Sequence, residues 1–170
     1  MRTGRVDFMK KIGIIMGSDS DLPVISKATD TLKTLDIPFE VHVYSAHRTP
    51  EQAKEFAVNA RQNGFGAIIC AAGMAAHLAG AVAANTTLPV IGIPCGGGAA
   101  GGLDALLSTV QMPSGIPVAT VAINGGANAA LLAAQILAVE DAEIAAKLDA
   151  KRTDDAAKVL EKDKNILDRI

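Results

Sequence analysis

Ser45, His47 and Arg48 lie within four consecutive positions, shortly before Pro50. A guanidinium binds phosphate and carboxylate oxygens, and an imidazole exchanges protons near neutral pH. Their adjacency predicts one ligand that carries an anionic group and an atom that gains or loses a proton. The alternative is a loop that begins a helix, with a solvated arginine and a capping histidine. Ser45 is a weak candidate for a nucleophile because no GxSxG motif surrounds it.

A second polar stretch, "MGSDSD", follows a short apolar run and precedes a helical pattern. Gly17 permits a tight turn, and Ser18 and Ser20 add hydroxyls to the free N–H groups of a helix start, where an anion can bind. Asp19 and Asp21 would repel a phosphate, so one of them is better suited to accept hydrogen bonds from sugar hydroxyls. The alternative is plain capping of the helix by Ser20 or Asp21.

A third stretch, "AAGMAAHLAG", consists mostly of alanine and glycine. These small residues predict a backbone-rich wall that approaches a ligand closely. Its candidate site residues are Ala72, Gly73, Met74, Ala75 and His77. Two roles fit His77 equally well: a second functional group of the site, or a residue at the helix start that faces solvent. The glycine-rich stretch 95–102 suits either a flap over a ligand or tight packing.

The three histidines share no ligand spacing and have no nearby cysteine or glutamate pattern, so the sequence predicts no metal site. His42 lies between Val41 and Val43 in a strand pattern. A structural histidine is the favoured interpretation there.

The elements that must position these stretches alternate between strand and helix along the chain. Short apolar runs predict strands at 11–16, 39–44, 67–72, 89–94 and 117–123. Helical spacing, caps and stops predict helices at 21–37, 49–64, 76–86, 102–112, 126–148 and 153–170, with Thr49 as one cap.

This alternation with short connections predicts a three-layer α/β/α fold around a central parallel sheet. In such sheets, ligands bind beyond the carboxyl ends of the strands. Each of the three stretches described above follows a predicted strand, so we expect all three to meet at that edge of the sheet. No repeat or linker divides the chain. We therefore expect one domain over residues 11–170, preceded by a flexible tail over residues 1–10, and Met9 is an alternative start.

Composition limits the classes of function. The chain has 170 residues, of which 49% are hydrophobic and 20% charged, and its net charge is -2. These values are typical of a globular domain and give no basic surface for nucleic acid or an anionic membrane. The apolar run 67–84 is a poor membrane span because glycines and His77 interrupt it. Alanine-rich cores often continue into subunit interfaces, which makes an oligomer plausible.

Cys70 and Cys95 are far apart and form no CxxC motif. Without a disulfide framework, a reducing, cytoplasmic location is expected. Cys70 lies in an apolar run and is predicted to be a small core residue.

The stretches "MGSDSD", "SAHRTP", "GMAAHLAG", "QMPSGIPVATVAI" and "ANAALLAAQIL" occur in this order. In order and spacing they resemble the 5-(carboxyamino)imidazole ribonucleotide mutases of bacterial purine synthesis, from about Lys11 to Leu148. The family also contains aminoimidazole ribonucleotide carboxylases, which use free carbon dioxide and typically have lysine where Arg48 stands. Arg48 and the following Thr49-Pro50 therefore favour the mutase branch.

The resemblance implies a flavodoxin-like isomerase that moves a carboxyl group from the exocyclic nitrogen to the neighbouring ring carbon, in inosine monophosphate biosynthesis. It implies no ATP, metal or organic cofactor. It also implies a homo-octamer with C-terminal helices packed on neighbouring subunits. His47 matches the catalytic histidine, and Ser18, Asp21 and Arg48 match nucleotide-binding positions. Ser45, Ala46 and the loop 72–77 match the wall around the migrating carboxyl.

On this basis we expect His47 to act as both general acid and general base, beside a small dry wall of Ala46, Ala72, Gly73 and Ala75. Two positions depart from the family pattern. Met74 stands where glycine is usual and is expected to narrow the pocket. Ala79 stands where proline is usual and is expected to loosen the helix start. The alternatives are a carboxylase that uses free carbon dioxide, a non-catalytic nucleotide-binding module and a purely structural oligomer.

Overall fold

The computed structural model describes residues 9–97 and 99–166. Except for its last two residues, the predicted tail at 1–10 lies outside this range. Within the described residues, no helix is long and apolar enough to cross a membrane.

The centre of the fold is a five-stranded parallel sheet in the order β2-β1-β3-β4-β5. Its strands are β1 (Lys11–Met16), β2 (Phe39–Val43), β3 (Phe65–Gly73), β4 (Val90–Cys95) and β5 (Ala119–Thr120). This confirms the predicted parallel α/β fold. The strand order reverses direction between β1 and β3, which is the point where open parallel sheets bind ligands.

In the part of the chain that the structure describes, six α-helices connect and cover the strands. They are α1 (Leu22–Thr34), α2 (Pro50–Asn59), α3 (Leu78–Ala83), α4 (Leu103–Val110), α5 (Gly126–Ala138) and α6 (Ala142–Lys164). Buried residues of α1, α5 and α6 form one core with the sheet, and those of α2 and α3 form a second core. The sheet is therefore the middle of three layers.

The two cores explain why the strands show no polar alternation. In β1, Ile12, Ile14 and Met16 belong to the first core, and Ile15 belongs to the second. All four side chains are buried. A parallel strand covered on both faces needs apolar residues at every position, which is the pattern seen in the sequence.

The helices α1 and α5 pack closely because α5 begins with very small residues. A Cβ atom at Gly126 would lie 2.1 Å from the carbonyl oxygen of Val24. Glycine is therefore required at this position. The tight contact fixes the start of α5 against α1, the helix that follows the "MGSDSD" stretch.

The predicted long helix at 126–148 is wrong in extent, since α5 ends at Ala138 and α6 begins at Ala142. The Asp141 carboxylate accepts hydrogen bonds from the N–H groups of Glu143 (3.0 Å) and Ile144 (3.1 Å) and thereby caps a new helix. The final helix consequently starts eleven residues before the predicted position 153.

The predicted fifth strand is reduced to two residues at the sheet edge. Pro117 has no N–H group to donate, so regular pairing begins only after it. The chain still follows β4, because the N–H groups of Val121 and Asn124 donate to Gly92 and Pro94 at 3.1 and 2.9 Å. At the other extreme, β3 extends beyond its predicted 67–72 at both ends.

Candidate active site

A cavity of about 780 Å³ lies at the carboxyl ends of β1 to β4. This volume is within the range of small-molecule sites. Every site residue predicted from the sequence lines it, from the three loops after β1, β2 and β3: Gly17, Ser18, Ser20, Asp21, Ser45, Ala46, His47, Arg48, Ala72, Gly73, Met74, Ala75 and His77. Four further residues line the cavity: Leu78, which was not predicted, and Cys95, Gly96 and Gly97, which belong to the stretch 95–102, for which a flap over a ligand was one of two interpretations.

Two imidazoles face each other in this cavity. The rings of His47 and His77 are nearly parallel, at 14°, with their centroids 6.3 Å apart. His77 precedes α3 but makes no side-chain capping bond. Of its two predicted roles, this position favours the site group. His42 lies outside the cavity, stacked on Tyr44 with a centroid distance of 4.9 Å, as expected for a structural histidine.

The loop after β2 is held by its own hydroxyls. The Ser45 hydroxyl oxygen accepts hydrogen bonds from the N–H groups of His47 (3.3 Å) and Arg48 (3.2 Å). Thr49 is the N-cap residue of α2, as predicted, but its hydroxyl makes no capping bond to the helix and its oxygen instead accepts from the N–H of Ser45 (2.7 Å). Both hydroxyls therefore fix the turn that presents the imidazole and the guanidinium.

Arg48 connects this loop to the loop after β1. Its Nη2 atom donates to the carbonyl oxygen of Gly17 at 2.9 Å. A guanidinium has five N–H donors in a planar fork, so most of them stay available for an oxyanion. The bond fixes the side chain before any ligand arrives.

In the loop after β1, Ser18 caps a short 3-10 turn over Asp19–Asp21, and Asp21 is the N-cap residue of α1. The Ser18 hydroxyl oxygen accepts from the N–H of Ser20 at 3.3 Å, and the Asp21 side chain makes no capping bond. Gly17 is not forced by the turn: its φ is outside the left-handed region, and an added Cβ would meet protein atoms only at 4.0 Å. The expected tight-turn role of Gly17 is therefore wrong.

Asp21 lies beside Cys95, which was not itself a predicted site residue. Burial raises the pKa of the Asp21 carboxyl, and hydrogen bonds from the Cys95 thiol and the Ser18 backbone partly oppose this rise. Burial and the Asp21 charge raise the pKa of Cys95 to about 12. Cys95 ends β4 and begins the glycine-rich stretch, so it lies at the same sheet edge as the other loops.

The small-residue wall is only partly enclosed. Ala46, Ala72 and Gly73 are half-buried, whereas Met74 and Ala75 are exposed. Met74 has a φ of 57°, in the left-handed region that favours glycine. The helix α3 begins at Leu78, so Ala79 is its second residue. The expected loosening of this helix start stays a prediction.

Within the described parts of the chain, no three histidine, cysteine, aspartate or glutamate side chains form a group that could hold a metal ion. The functional groups that line the cavity are two imidazoles, one guanidinium, one carboxylate, one thiol and several hydroxyls.

Comparison with known proteins identifies relatives of this arrangement. A protein of Pyrococcus horikoshii named N5-carboxyaminoimidazole ribonucleotide mutase is 54% identical over 155 residues, which are 91% of this chain and 88% of that protein. A Saccharomyces cerevisiae protein named phosphoribosylaminoimidazole carboxylase is 54% identical over 138 residues. That match covers 81% of this chain but 24% of the yeast protein.

A solved structure is similar to this fold as well. The crystal structure of Treponema denticola PurE matches with a TM-score of 0.82 and 31% identity, over 92% of this chain and 98% of that one. The sequence model of the AIR carboxylase family matches residues 11–158. This chain therefore belongs to the AIR carboxylase family.

Proposed function

We propose that this protein is an N5-carboxyaminoimidazole ribonucleotide mutase, an isomerase of purine biosynthesis. It converts the N-carboxylated aminoimidazole ribonucleotide into 4-carboxy-5-aminoimidazole ribonucleotide. The observation that supports this most directly is the pairing of His47 with His77 in a cavity that also contains the Arg48 guanidinium. This combination supplies a proton carrier and an anion ligand to one small molecule.

The carboxylase that uses free carbon dioxide is the second candidate, and the yeast relative carries that type of name. Relatives that match over most of their own length are named as mutases in archaea and bacteria. The match to the yeast carboxylase covers about a quarter of that protein. The mutase is therefore the better-supported function.

In the proposed complex, the loops after β1 and β2 bind the ribose phosphate. Arg48 binds phosphate oxygens through the N–H groups that do not donate to the Gly17 carbonyl oxygen. Ser18 and Ser20 add hydroxyl groups as further donors. Asp21 accepts hydrogen bonds from ribose hydroxyls. The backbone and hydroxyl of Ser45 keep Arg48 and His47 in position.

The proposed chemistry needs one proton that leaves and returns. Protonated His47 gives its proton to the exocyclic nitrogen as the bond between nitrogen and the carboxyl carbon breaks, and carbon dioxide forms. The ring carbon then attacks the carbon dioxide, and neutral His47 takes the proton from that carbon. The carboxyl group thus moves from the nitrogen to the ring carbon, and His47 passes a proton in the opposite direction. The overall reaction neither consumes nor releases a proton. Retention of both fragments supplies much of the rate.

The direct test mixes the protein with N5-carboxyaminoimidazole ribonucleotide without ATP, metal or added bicarbonate, and follows the carbon-carboxylated product by ultraviolet absorbance. Product formation by the wild type supports the mutase. Conversion only of aminoimidazole ribonucleotide plus dissolved carbon dioxide would assign the carboxylase instead. Binding of the nucleotide without either conversion would favour a non-catalytic module.

We also propose that the protein is a homo-octamer in which α6 packs on neighbouring subunits. The residues of α6 beyond Lys151 are exposed, and they include Val159 and Leu160 at 64% and 63% exposure. On α4, Leu103, Leu107 and Val110 form an exposed apolar stripe at helical spacing. Apolar surface of this kind is typical of interfaces.

Light scattering on a size-exclusion column tests the octamer. The wild type is expected to have eight times the chain mass, and Leu107→Glu is expected to reduce it. Lys33→Glu on α1 offers an exposed control outside both α4 and α6. A monomeric wild type would reject the octamer. We keep the further expectations of a cytoplasmic location, no cofactor and no nucleic-acid partner as predictions.

A further inference from the structure

The loop after β3 contains a conformation that neither packing nor backbone preference explains. Met74 has a φ of 57°, and its side chain is 69% exposed. A non-glycine residue in the left-handed region is held there at a conformational cost. Burial of the side chain often offsets such a cost. The exposed thioether of Met74 provides no such offset in the free chain.

The backbone around Met74 is fixed by two tight turns. The N–H of Ala76 donates to the carbonyl oxygen of Met74 at 2.9 Å, and the N–H of His77 donates to that of Ala75 at 2.8 Å. These turns carry the chain from β3 to His77, so the conformation of Met74 is coupled to the position of the second imidazole. The same turns leave Met74 and Ala75 as the exposed side of the cavity wall.

The proposed reaction places a special demand on this side. Carbon dioxide is neutral and small, so the protein has no charge with which to hold it. Only apolar contacts and the exclusion of water can keep it beside the ring. Ala46, Ala72 and Gly73 supply part of an apolar wall, but it is open where Met74 and Ala75 lie. An unbranched thioether adapts its shape to a ligand better than any other apolar side chain.

We propose that Met74 is a specificity-determining residue that covers the bound nucleotide and retains carbon dioxide until the ring carbon attacks it. The inference rests on the proposed mutase function. In the free protein the thioether is exposed, and in the complex it lies against the ligand. Met74 thereby determines the fraction of carboxyl groups that reach the ring carbon instead of being lost to solvent.

The test follows a carboxyl labelled with ¹³C on the exocyclic nitrogen of the substrate, in buffer with unlabelled dissolved carbon dioxide. Mass spectrometry measures the label in the product and the aminoimidazole ribonucleotide released. Met74→Gly suits the backbone but removes the cover, and Met74→Leu keeps an apolar cover. We expect the glycine variant to release at least fivefold more aminoimidazole ribonucleotide per product than the wild type, and the leucine variant to remain within twofold of it.

Equal label retention in wild type and Met74→Gly, with turnover intact, would overturn this inference alone. Absence of turnover in the wild type would overturn the proposed function and the inference with it. Circular dichroism establishes that Met74→Gly is folded, which its φ favours.

Oxidation by dilute hydrogen peroxide gives a second readout that does not depend on turnover. We expect aminoimidazole ribonucleotide to slow sulfoxide formation at Met74 at least fivefold, measured by peptide mass spectrometry. Met112 provides an internal methionine comparison outside the cavity. Slow sulfoxide formation at Met74 in the absence of nucleotide would mean that a second copy of the chain covers this side chain. That result would overturn the inference.

Discussion

The Nη2 atom of Arg48 donates a hydrogen bond to the carbonyl oxygen of Gly17 over 2.9 Å. The two residues are 31 positions apart and lie in the loops that follow the neighbouring strands β2 and β1. The bond orients the guanidinium in the free protein, so less side-chain freedom is lost when an anion binds. Anion binding at this corner of the cavity therefore depends on the Arg48 side chain.

We expect Arg48→Ala to weaken binding of 4-carboxy-5-aminoimidazole ribonucleotide by about 10- to 100-fold, because charge-assisted hydrogen bonds contribute about 1.5–3 kcal/mol. Isothermal titration calorimetry measures this affinity. Arg48→Lys is the matched variant: it keeps the charge but loses the planar fork, so its loss should be smaller. An unchanged affinity in Arg48→Ala would reject the phosphate role.

We expect His47→Asn to reduce kcat by about 10²- to 10⁴-fold, since it removes the general acid and base. Nucleotide affinity should stay within about threefold of the wild type, because the phosphate and ribose contacts remain. Steady-state kinetics and calorimetry separate the two effects. His42→Asn is the matched histidine control, because His42 lies outside the cavity and should keep wild-type turnover. Loss of binding in folded His47→Asn would contradict the catalytic role.

Asp21 should show opposite effects on stability and on binding. Burial raises its folded-state pKa above the ordinary 3.8, so the folded chain binds this proton more tightly than the unfolded chain. The stabilising contribution of the protonated form is therefore lost as the pH rises from 3.8 through the raised pKa. At neutral pH the ionised carboxylate is a cost, and Asp21→Asn should raise Tm in differential scanning calorimetry.

The same change should weaken nucleotide binding about tenfold or more, because an ionised carboxylate accepts stronger hydrogen bonds from ribose hydroxyls than an amide does. Wild-type affinity should fall as the pH drops through the raised pKa of Asp21, since protonation removes that acceptor. Asp19→Asn is the neighbouring control. A lower Tm together with unchanged affinity in Asp21→Asn would show that the carboxylate is structural.

The two cysteines should resist alkylation in the folded protein. Both are free and buried, burial raises both thiol pKa values, and that of Cys95 reaches about 12. Thiolate is the reactive form, so iodoacetamide at pH 8 should label neither residue within minutes, yet label both in guanidinium chloride. Peptide mass spectrometry distinguishes the sites. Rapid labelling of native Cys95 would mean that solvent reaches the floor of the cavity.

Much of the site was predictable because a parallel sheet has a simple rule. Apolar runs identified β1 to β4, and the residues that follow parallel strands meet at one edge. That rule was sufficient to bring Ser18, His47 and His77 into one cavity before any side-chain position was known. Local signals were less reliable where a single residue decides where a helix or strand begins. Asp141 interrupts the predicted last long helix, and Pro117 delays the fifth strand.

The sequence by itself determined the order of elements, the apolar strands and the polar composition of each loop, since these depend on periodicity and on local backbone preference. Only the tertiary structure decided which atoms meet. The parallel rings of His47 and His77, the bond from Arg48 to Gly17 and the placement of Cys95 beside Asp21 join residues that are 30 or more positions apart. Such contacts depend on strand register, loop conformation and side-chain packing together, and no local pattern encodes all three.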